Sequence, residues 1–131
     1  MFDAVTRQFL EQKLIARLST IGRDGYPHTV PIWYMLDGDD LVFISDRTAR
    51  KTQNALINSK GAAAVGGDSD DEAGYLIRGD FAIEDDVDQA ITWRMIDRYE
   101  DKASGTKLKE AWKNDDIVVI RLRPKSVIRV M

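Results

Sequence analysis

Short stretches of alternating apolar and polar residues dominate the chain, separated by residues typical of tight turns. The alternation predicts β-strands over residues 14–21, 27–36, 41–45, 61–67, 74–84, 117–122 and 127–130. Clusters of Asp, Gly and Ser at 23–25, 37–40 and 68–72 predict turns between them. Six or seven short strands linked in this way favour a small antiparallel barrel, because closure of a sheet removes its exposed edges.

The N-terminal half also contains two segments with apolar residues at helical spacing. A short N-terminal helix with Asp3 as its N-cap is predicted to cover one end of the sheet. A second helix is predicted over residues 50–58, with Thr48 or Ser45 as its cap.

Two further helices are predicted between the last strands. Asp85 or Asp86 is expected to cap a helix whose apolar stripe lies within residues 87–96. Residues 102–114 predict a loop followed by a short helix, because Ala-Ser-Gly at 103–105 interrupts the helical pattern.

Several positions inside the predicted strands are expected to disturb the sheet. Pro31 has no amide hydrogen, so it predicts an edge, a bulge or a position facing a ligand. Gly79 predicts a bulge or sharp bend, and Pro124 predicts a bend between the last two strands. The small residues of 61–67 would let a flat ligand or another backbone come close, or would pack under a helix.

Composition limits the functional classes. The 131 residues, 44% hydrophobic and 31% charged, fit a single domain over 1–131. The net charge of −3 disfavours nucleic-acid binding. No cysteine and one histidine, His28, exclude thiolate chemistry and a histidine-rich metal site within one protomer. The sequence has no apolar stretch near the ~20 residues of a membrane span, so we expect a cytoplasmic protein without a membrane partner.

Positive charge next to the third predicted strand indicates a candidate anion site. The run 41–45 ends in a polar bend, after which Arg50 and Lys51 open a helix. The N-terminus of a helix attracts anions, and cations in a first turn run against the usual preference for acids. A bound phosphate would explain them, and a solvated basic patch with Arg47 is the alternative. No phosphate-loop, dinucleotide-binding or nucleophile-elbow motif is present.

Several motifs in succession resemble one known family. They are G-x-P-H-x-x-P-I-W-Y at 25–34, D-G-D-D-L-V-F-I-S at 37–45, R-K-x-x-N at 50–54, I-R-G-D-F-A-I-E-D-D at 77–86 and R-L-R-P-K-S-V-I-R-V at 121–130. Together they resemble the split-barrel flavin-binding family of pyridoxamine 5'-phosphate oxidase and the related deazaflavin-dependent reductases. The resemblance implies a mainly β fold with flanking helices (α+β), a six-stranded antiparallel split β-barrel that forms a homodimer with two flavin sites at the interface.

The resemblance also implies which residues hold the cofactor, and it assigns no catalytic residue. The phosphate would be held by Ser45, Arg50 and Lys51, and the flavin ring would lie along Val30, Pro31, Ile32 and Trp33, with Ile44 and Asp46 beside it. The second strand and the C-terminal tail lack the residues with which the oxidase binds its vitamin B6 substrate. The resemblance is therefore closer to the short reductase-like members of the family.

The sequence leaves three functional alternatives. The leading one is an oxidoreductase in which FMN, or alternatively the deazaflavin coenzyme F420, transfers hydride to a small-molecule substrate. The others are a non-catalytic flavin-binding module and a purely structural dimer. FMN is preferred because a deazaflavin with its anionic tail needs a wider basic groove, and Arg23, Arg47, Lys60 and Arg78 sit in an acidic chain. Trp93 and Trp112 are expected near the interface or the site.

Overall fold

The computed structural model describes residues 1–131, and its central element is one antiparallel sheet of seven strands. These are β1 (Ile15–Ile21), β2 (Pro27–Trp33), β3 (Met35–Asp37), β4 (Asp40–Asp46), β5 (Lys60–Gly66), β6 (Gly74–Asp85) and β7 (Ile117–Arg129). Their order across the sheet is β2-β1-β5-β6-β7-β4-β3. The edge strands β2 and β3 are consecutive in the chain and joined by Tyr34 alone, so the sheet must curl until its edges meet. This is the expected split barrel, with seven strands rather than six.

The additional strand arises at Tyr34, which interrupts the predicted segment 27–36. Its backbone N–H donates to the Tyr99 hydroxyl over 3.2 Å, and its carbonyl lies 3.0 Å from the same hydroxyl. The Tyr34 side chain is fully buried, and its own hydroxyl lies 2.8 Å from the Leu10 carbonyl oxygen. Side-chain partners thus replace the strand ladder, and the chain changes from one edge of the sheet to the other.

The two strands predicted on either side of Pro124 are one strand, β7, and that prediction was wrong. Arg78 on β6 pairs with Ser126, whereas the adjacent Gly79 pairs with Pro124, so Lys125 is an extra residue without a partner. This β-bulge accommodates the missing amide hydrogen of the proline without ending the strand. It also confirms the bulge predicted at Gly79.

An arginine network fixes the hairpin between β3 and β4 to the long strands. Arg121 on β7 is 15% exposed and donates to Asp37, Asp40 and Glu84 over 2.8, 3.1 and 3.0 Å. Burial opposes the charge, but bonds to the three carboxylates raise the pKa of Arg121 above its ordinary value. Removal of Arg121 would leave three neighbouring carboxylates without a cation.

Four α-helices flank the sheet: α1 (Ala4–Leu10), α2 (Arg50–Ile57), α3 (Ala90–Tyr99) and α4 (Lys102–Trp112). Asp3 caps α1 as expected by accepting the Thr6 amide over 2.7 Å, which lowers the pKa of this carboxyl. Phe9 and Leu10 of α1 belong to the main hydrophobic core. None of the helices is long and apolar enough to cross a membrane.

Two expected helix boundaries were wrong. The N-cap of α2 is Ala49, which provides no side-chain cap, so neither Thr48 nor Ser45 caps this helix. Helix α4 is continuous because Asp101 caps it by accepting the Ser104 amide over 2.8 Å, and Gly105 lies inside it. A Cβ atom on Gly105 would lie 3.4 Å from Ile96, an ordinary van der Waals contact, and Gly105 neither breaks the helix nor has a left-handed conformation.

The expected cap before α3 is Asp86. A short 3-10 turn, Val87–Gln89, precedes this helix, and the Asp86 carboxylate accepts the amides of Ile91 and Thr92 over 2.9 and 2.8 Å. The turn contains two non-glycine residues in the left-handed region, Asp88 and Gln89, both with φ of 56°. Such conformations are strained and need support from their surroundings.

Candidate functional site

Two adjoining clefts lie where β2, β4 and α4 meet. The first, here called the polar cleft, has a volume of about 220 Å³ and is lined by Ile44, Ser45, Asp46, Lys51, Trp112, Asp115 and Ile117. The second, the apolar cleft, has a volume of about 450 Å³ and is lined by Pro31, Ile32, Trp33, Ile44, Glu100, Leu108 and Trp112. Ile44 and Trp112 border both clefts, so the two form one continuous surface of a size typical for cofactor sites.

Hydroxyl groups connect the end of β4 to the first turn of α2 beside the polar cleft. Thr52 Oγ1 lies 2.9 Å from Ser45 Oγ and 2.8 Å from the Asp46 carbonyl oxygen. Ser45 and Thr52 are both buried. The start of α2 is therefore held in a fixed position relative to the strand that precedes it.

The first turn of α2 has the chemistry of an anion site. Ala49 provides no side-chain cap. The first intrahelical backbone bond closes at Gln53, so the amides of Arg50, Lys51 and Thr52 have no intrahelical acceptor. Neither Arg50 nor Lys51 takes part in an ion pair, although the chain is acidic overall. Free amides, a helix dipole and two unpaired cations therefore coincide at one end of the polar cleft.

Aromatic and apolar groups form the opposite end of the surface. The Trp33 and Tyr99 rings stack with centroids 4.9 Å apart and parallel planes. Tyr99 is itself held by its hydroxyl, 2.6 Å from the Leu14 carbonyl oxygen. Pro31 lies on the edge strand β2, which confirms the expectation of an edge at this residue. The only charged side chain in the apolar cleft is Glu100.

The structure brings together seven of the nine residues predicted for the cofactor. Pro31, Ile32 and Trp33 line the apolar cleft, Ser45, Asp46 and Lys51 line the polar cleft, and Ile44 lines both. Val30 lines neither cleft; it pairs with Leu18 on β1, and its side chain is half-buried. Arg50 is exposed at the first residue of α2, next to the polar cleft but not in its wall.

The arginine expected to extend the basic patch has a different environment. Arg47 donates through Nε to Asp116 over 2.7 Å and through Nη2 to Asp85 over 2.5 Å. These carboxylates raise the pKa of Arg47, and Arg47 lowers the pKa of the Asp116 carboxyl. Lys60 likewise lies 3.6 Å from Asp80. A continuous basic groove through these residues is therefore not formed.

Sequence reasoning missed most of the wall contributed by α4 and the turn that follows it. Leu108, Asp115 and Ile117 were not predicted, because nothing in the sequence indicates which side of the barrel α4 covers. Trp112 was expected near the site only because tryptophan is a large apolar residue, and it borders both clefts. Trp93, expected there for the same reason, borders neither.

Comparison with known proteins agrees with this architecture. A solved structure named F420 Reductase is 27% identical, with a TM-score of 0.74, and covers 93% of this chain and 94% of its own. A structure named as a putative pyridoxamine 5'-phosphate oxidase from Listeria innocua is 21% identical, with a TM-score of 0.66, and the match covers 94% of this chain and 93% of that one. General Stress Protein 26 from Bacillus anthracis is 18% identical, with a TM-score of 0.69 and coverage of 93% and 88%. At the identities of the last two, the likeness concerns the fold.

No curated protein matches the sequence significantly. The family model described as pyridoxamine 5'-phosphate oxidase matches residues 2–131, which is nearly the whole chain. The matched region includes β2, β4, the first turn of α2 and α4, and thus all residues of the two clefts. The chain therefore belongs to the pyridoxamine 5'-phosphate oxidase family.

Proposed function

We propose that this protein is an FMN-dependent oxidoreductase that transfers hydride between the flavin and a small-molecule substrate. The observation that carries the proposal is the pair of unpaired cations at the uncapped start of α2, next to a surface that becomes apolar and aromatic away from them. FMN has the same division, with a phosphate at one end and a flat ring at the other.

The residues present fit the phosphate. The Lys51 ammonium lines the polar cleft, and the guanidinium of Arg50 lies at the adjacent helix position with all its donors free. Free amides in the first turn of α2 add donors directed along the helix axis. Asp46 and Asp115 also line this cleft, so the local field is mixed and the phosphate must be bound close to Lys51.

The residues of the apolar cleft fit the ring. Pro31, Ile32 and Trp33 on the edge strand β2 form a wall, and the stack with Tyr99 holds Trp33 in place. When bound, the flavin supplies a ring that accepts or donates hydride, and the protein need not provide a nucleophile. Ile32, Ile44 and Leu108 would exclude water from one face of a bound ring. No side chain is assigned a proton-transfer role.

A homodimer is part of the proposal. Both clefts are open to solvent on one side, and a second protomer would cover the exposed face of a bound ring. Leu56 and Ile57 at the end of α2 are 56% and 58% exposed, which leaves apolar surface for such a contact. Light scattering should give about twice the chain mass of 14.8 kDa.

A deazaflavin-dependent reductase is the second candidate, favoured by the 27% identity to the solved F420 Reductase. The anionic tail of coenzyme F420 needs cations beyond the phosphate position, and Arg47 and Lys60 are paired with carboxylates. FMN, which has no such tail, therefore fits these residues better than coenzyme F420 does.

Titration of the purified protein with FMN, riboflavin and coenzyme F420 tests the proposal. We expect FMN to bind more tightly than riboflavin, which lacks the phosphate, and more tightly than the deazaflavin. Tight binding of coenzyme F420 with weak binding of FMN would replace the first candidate by the second. A flavin that binds but is not reduced by any reduced nicotinamide would favour the non-catalytic flavin-binding module.

A further inference from the structure

The turn from Trp112 to Ile117, here called the α4–β7 turn, brings Trp112 and Asp115 into the wall of the clefts. It connects the last residue of α4 to the first residue of β7. Its side chains at the clefts have no hydrogen-bond partner of their own. Their position therefore depends on the contacts that hold the backbone of the turn.

Arg47, which follows β4, provides most of these contacts. Its Nε and Nη2 atoms donate to the two carboxylate oxygens of Asp116 over 2.7 and 3.1 Å. Its backbone N–H donates to the Asp116 carbonyl over 3.0 Å. Nη2 also donates to Asp85 at the end of β6 over 2.5 Å. Gln53 of α2 fixes Arg47 in turn by donating to its carbonyl over 2.8 Å.

A second contact holds the other end of the turn. The side-chain Nε2 of Gln89 donates to the Trp112 carbonyl over 3.0 Å, and the backbone N–H of Asp115 donates to the same carbonyl over 3.1 Å. Gln89 has a left-handed backbone conformation with φ of 56°. The strained turn before α3 thus places the side-chain amide of Gln89 against the carbonyl of Trp112, which borders both clefts.

We propose that Arg47 is a positioning residue that fastens the α4–β7 turn so that the Trp112 indole packs against the ring of the bound cofactor. Arg47 is then not a phosphate ligand, although it lies three residues before Arg50. The role of Trp112 as a ring contact rests on the proposed flavin binding. The fastening of the turn by Arg47 does not depend on it.

The two roles of an arginine near a flavin phosphate predict different ligand dependence. Loss of a phosphate ligand weakens FMN binding and leaves riboflavin binding unchanged, because riboflavin has no phosphate. Loss of a positioning residue weakens both ligands by the same factor, because both carry the ring. We expect Arg47→Ala to raise both dissociation constants about fivefold, as for loss of an exposed ion-pair network.

The matched control is Arg7→Ala, which also removes an arginine bound to an exposed carboxylate, Asp39, and to a carbonyl. It lies on α1, away from both clefts. We expect unchanged affinity for both ligands. Lys51→Ala serves as the opposite reference, since its effect should be confined to FMN. A decrease in FMN affinity alone in Arg47→Ala would overturn the proposal.

A measurement without cofactor tests the fastening by itself. In a Trp33→Phe/Trp93→Phe background, Trp112 is the only tryptophan, and acrylamide quenching reports its accessibility. We expect Arg47→Ala to increase the quenching constant at least about twofold, and Asp116→Asn to do the same if Arg47→Ala does not fold. Unchanged quenching in a folded variant refutes the positioning role. Failure of every protein to bind a flavin would refute the proposed function while the quenching result still decides this inference.

Discussion

Replacement of the two cations at the start of α2 is the most direct test of the proposed phosphate position. Arg50 and Lys51 make no ion pair, so their removal leaves no carboxylate without a partner. A surface substitution of this kind changes the free energy of unfolding by about 0.5 kcal/mol or less. The variants should therefore fold, and a loss of binding can be assigned to the lost contacts.

The structure predicts unequal contributions from the two residues. Lys51 lines the polar cleft, and a hydrogen bond to a charged group there contributes about 1.5–3 kcal/mol. Arg50 is exposed, where a charge pair contributes about 0.2–1 kcal/mol. Conversion of these free energies gives a loss of affinity of about 10- to 150-fold for Lys51→Ala and at most about fivefold for Arg50→Ala. If the two contributions add, the double variant should lose about 20- to 800-fold.

Fluorescence titration with FMN measures these losses, and the quenching of flavin emission provides the signal. Lys13→Ala/Arg23→Ala is the matched control, because it removes the same charge from two exposed residues outside both clefts. Thermal unfolding of each variant verifies that the fold is retained. A larger effect at Arg50 than at Lys51, or an equal loss in the control, would show that the cleft geometry does not determine phosphate binding.

Other predictions concern stability and assembly. A Cβ atom on Gly61 would lie 2.1 Å from the Phe81 ring, so Gly61→Ala should lower the free energy of unfolding, measured by urea titration, by about 1–3 kcal/mol. Tyr99→Phe removes the hydroxyl that hydrogen-bonds to the Tyr34 backbone and should lower the free energy of unfolding by about 1–3 kcal/mol in the same assay, with no change in oligomeric state. The pKa of Asp116 is lower in the folded protein than its value of 3.8 in the unfolded chain, so this group contributes fully to stability above pH 3.8 and loses that contribution as the pH falls further. Urea midpoints measured from pH 6 to pH 3 should therefore show no decrease from this group until below about pH 4.

Sequence periodicity predicted the strands well because each is a local pattern with one or both faces buried. The segment 15–21 alternates as expected, with Ala16, Leu18 and Thr20 buried. The run at 41–46 is buried on both faces over Leu41, Val42 and Phe43, as its continuous apolar sequence indicated. The predicted strand 27–36 is instead divided at Tyr34, because Tyr34 bonds to partners that are distant in sequence.

The errors in the sheet share that cause. The break at Tyr34 depends on Tyr99, 65 positions away, and no local pattern indicates this bond. The continuity of β7 depends on a bulge whose other half is Gly79. For the clefts, the motifs quoted from β2 and β4 do lie on strands that line them, but the pairing of Arg47 with Asp116 joins segments 69 positions apart. Local propensity therefore located the elements, and long-range contacts determined which side chains meet at the clefts.

The strand order has a consequence for how the protein reaches its native state. Ala16 on β1 pairs with Val65 on β5, and Leu41 on β4 pairs with Leu122 on β7. Together with the pairing of β6 with β7, such contacts between distant parts of the chain make up most of the sheet. Proteins dominated by such pairings fold in about milliseconds to seconds. β2 and β4 are not neighbours in the sheet and come together only when its edges meet at Tyr34. If the proposed flavin binding holds, capture of a flavin by the refolding chain would therefore report barrel closure, later than the formation of any single hairpin.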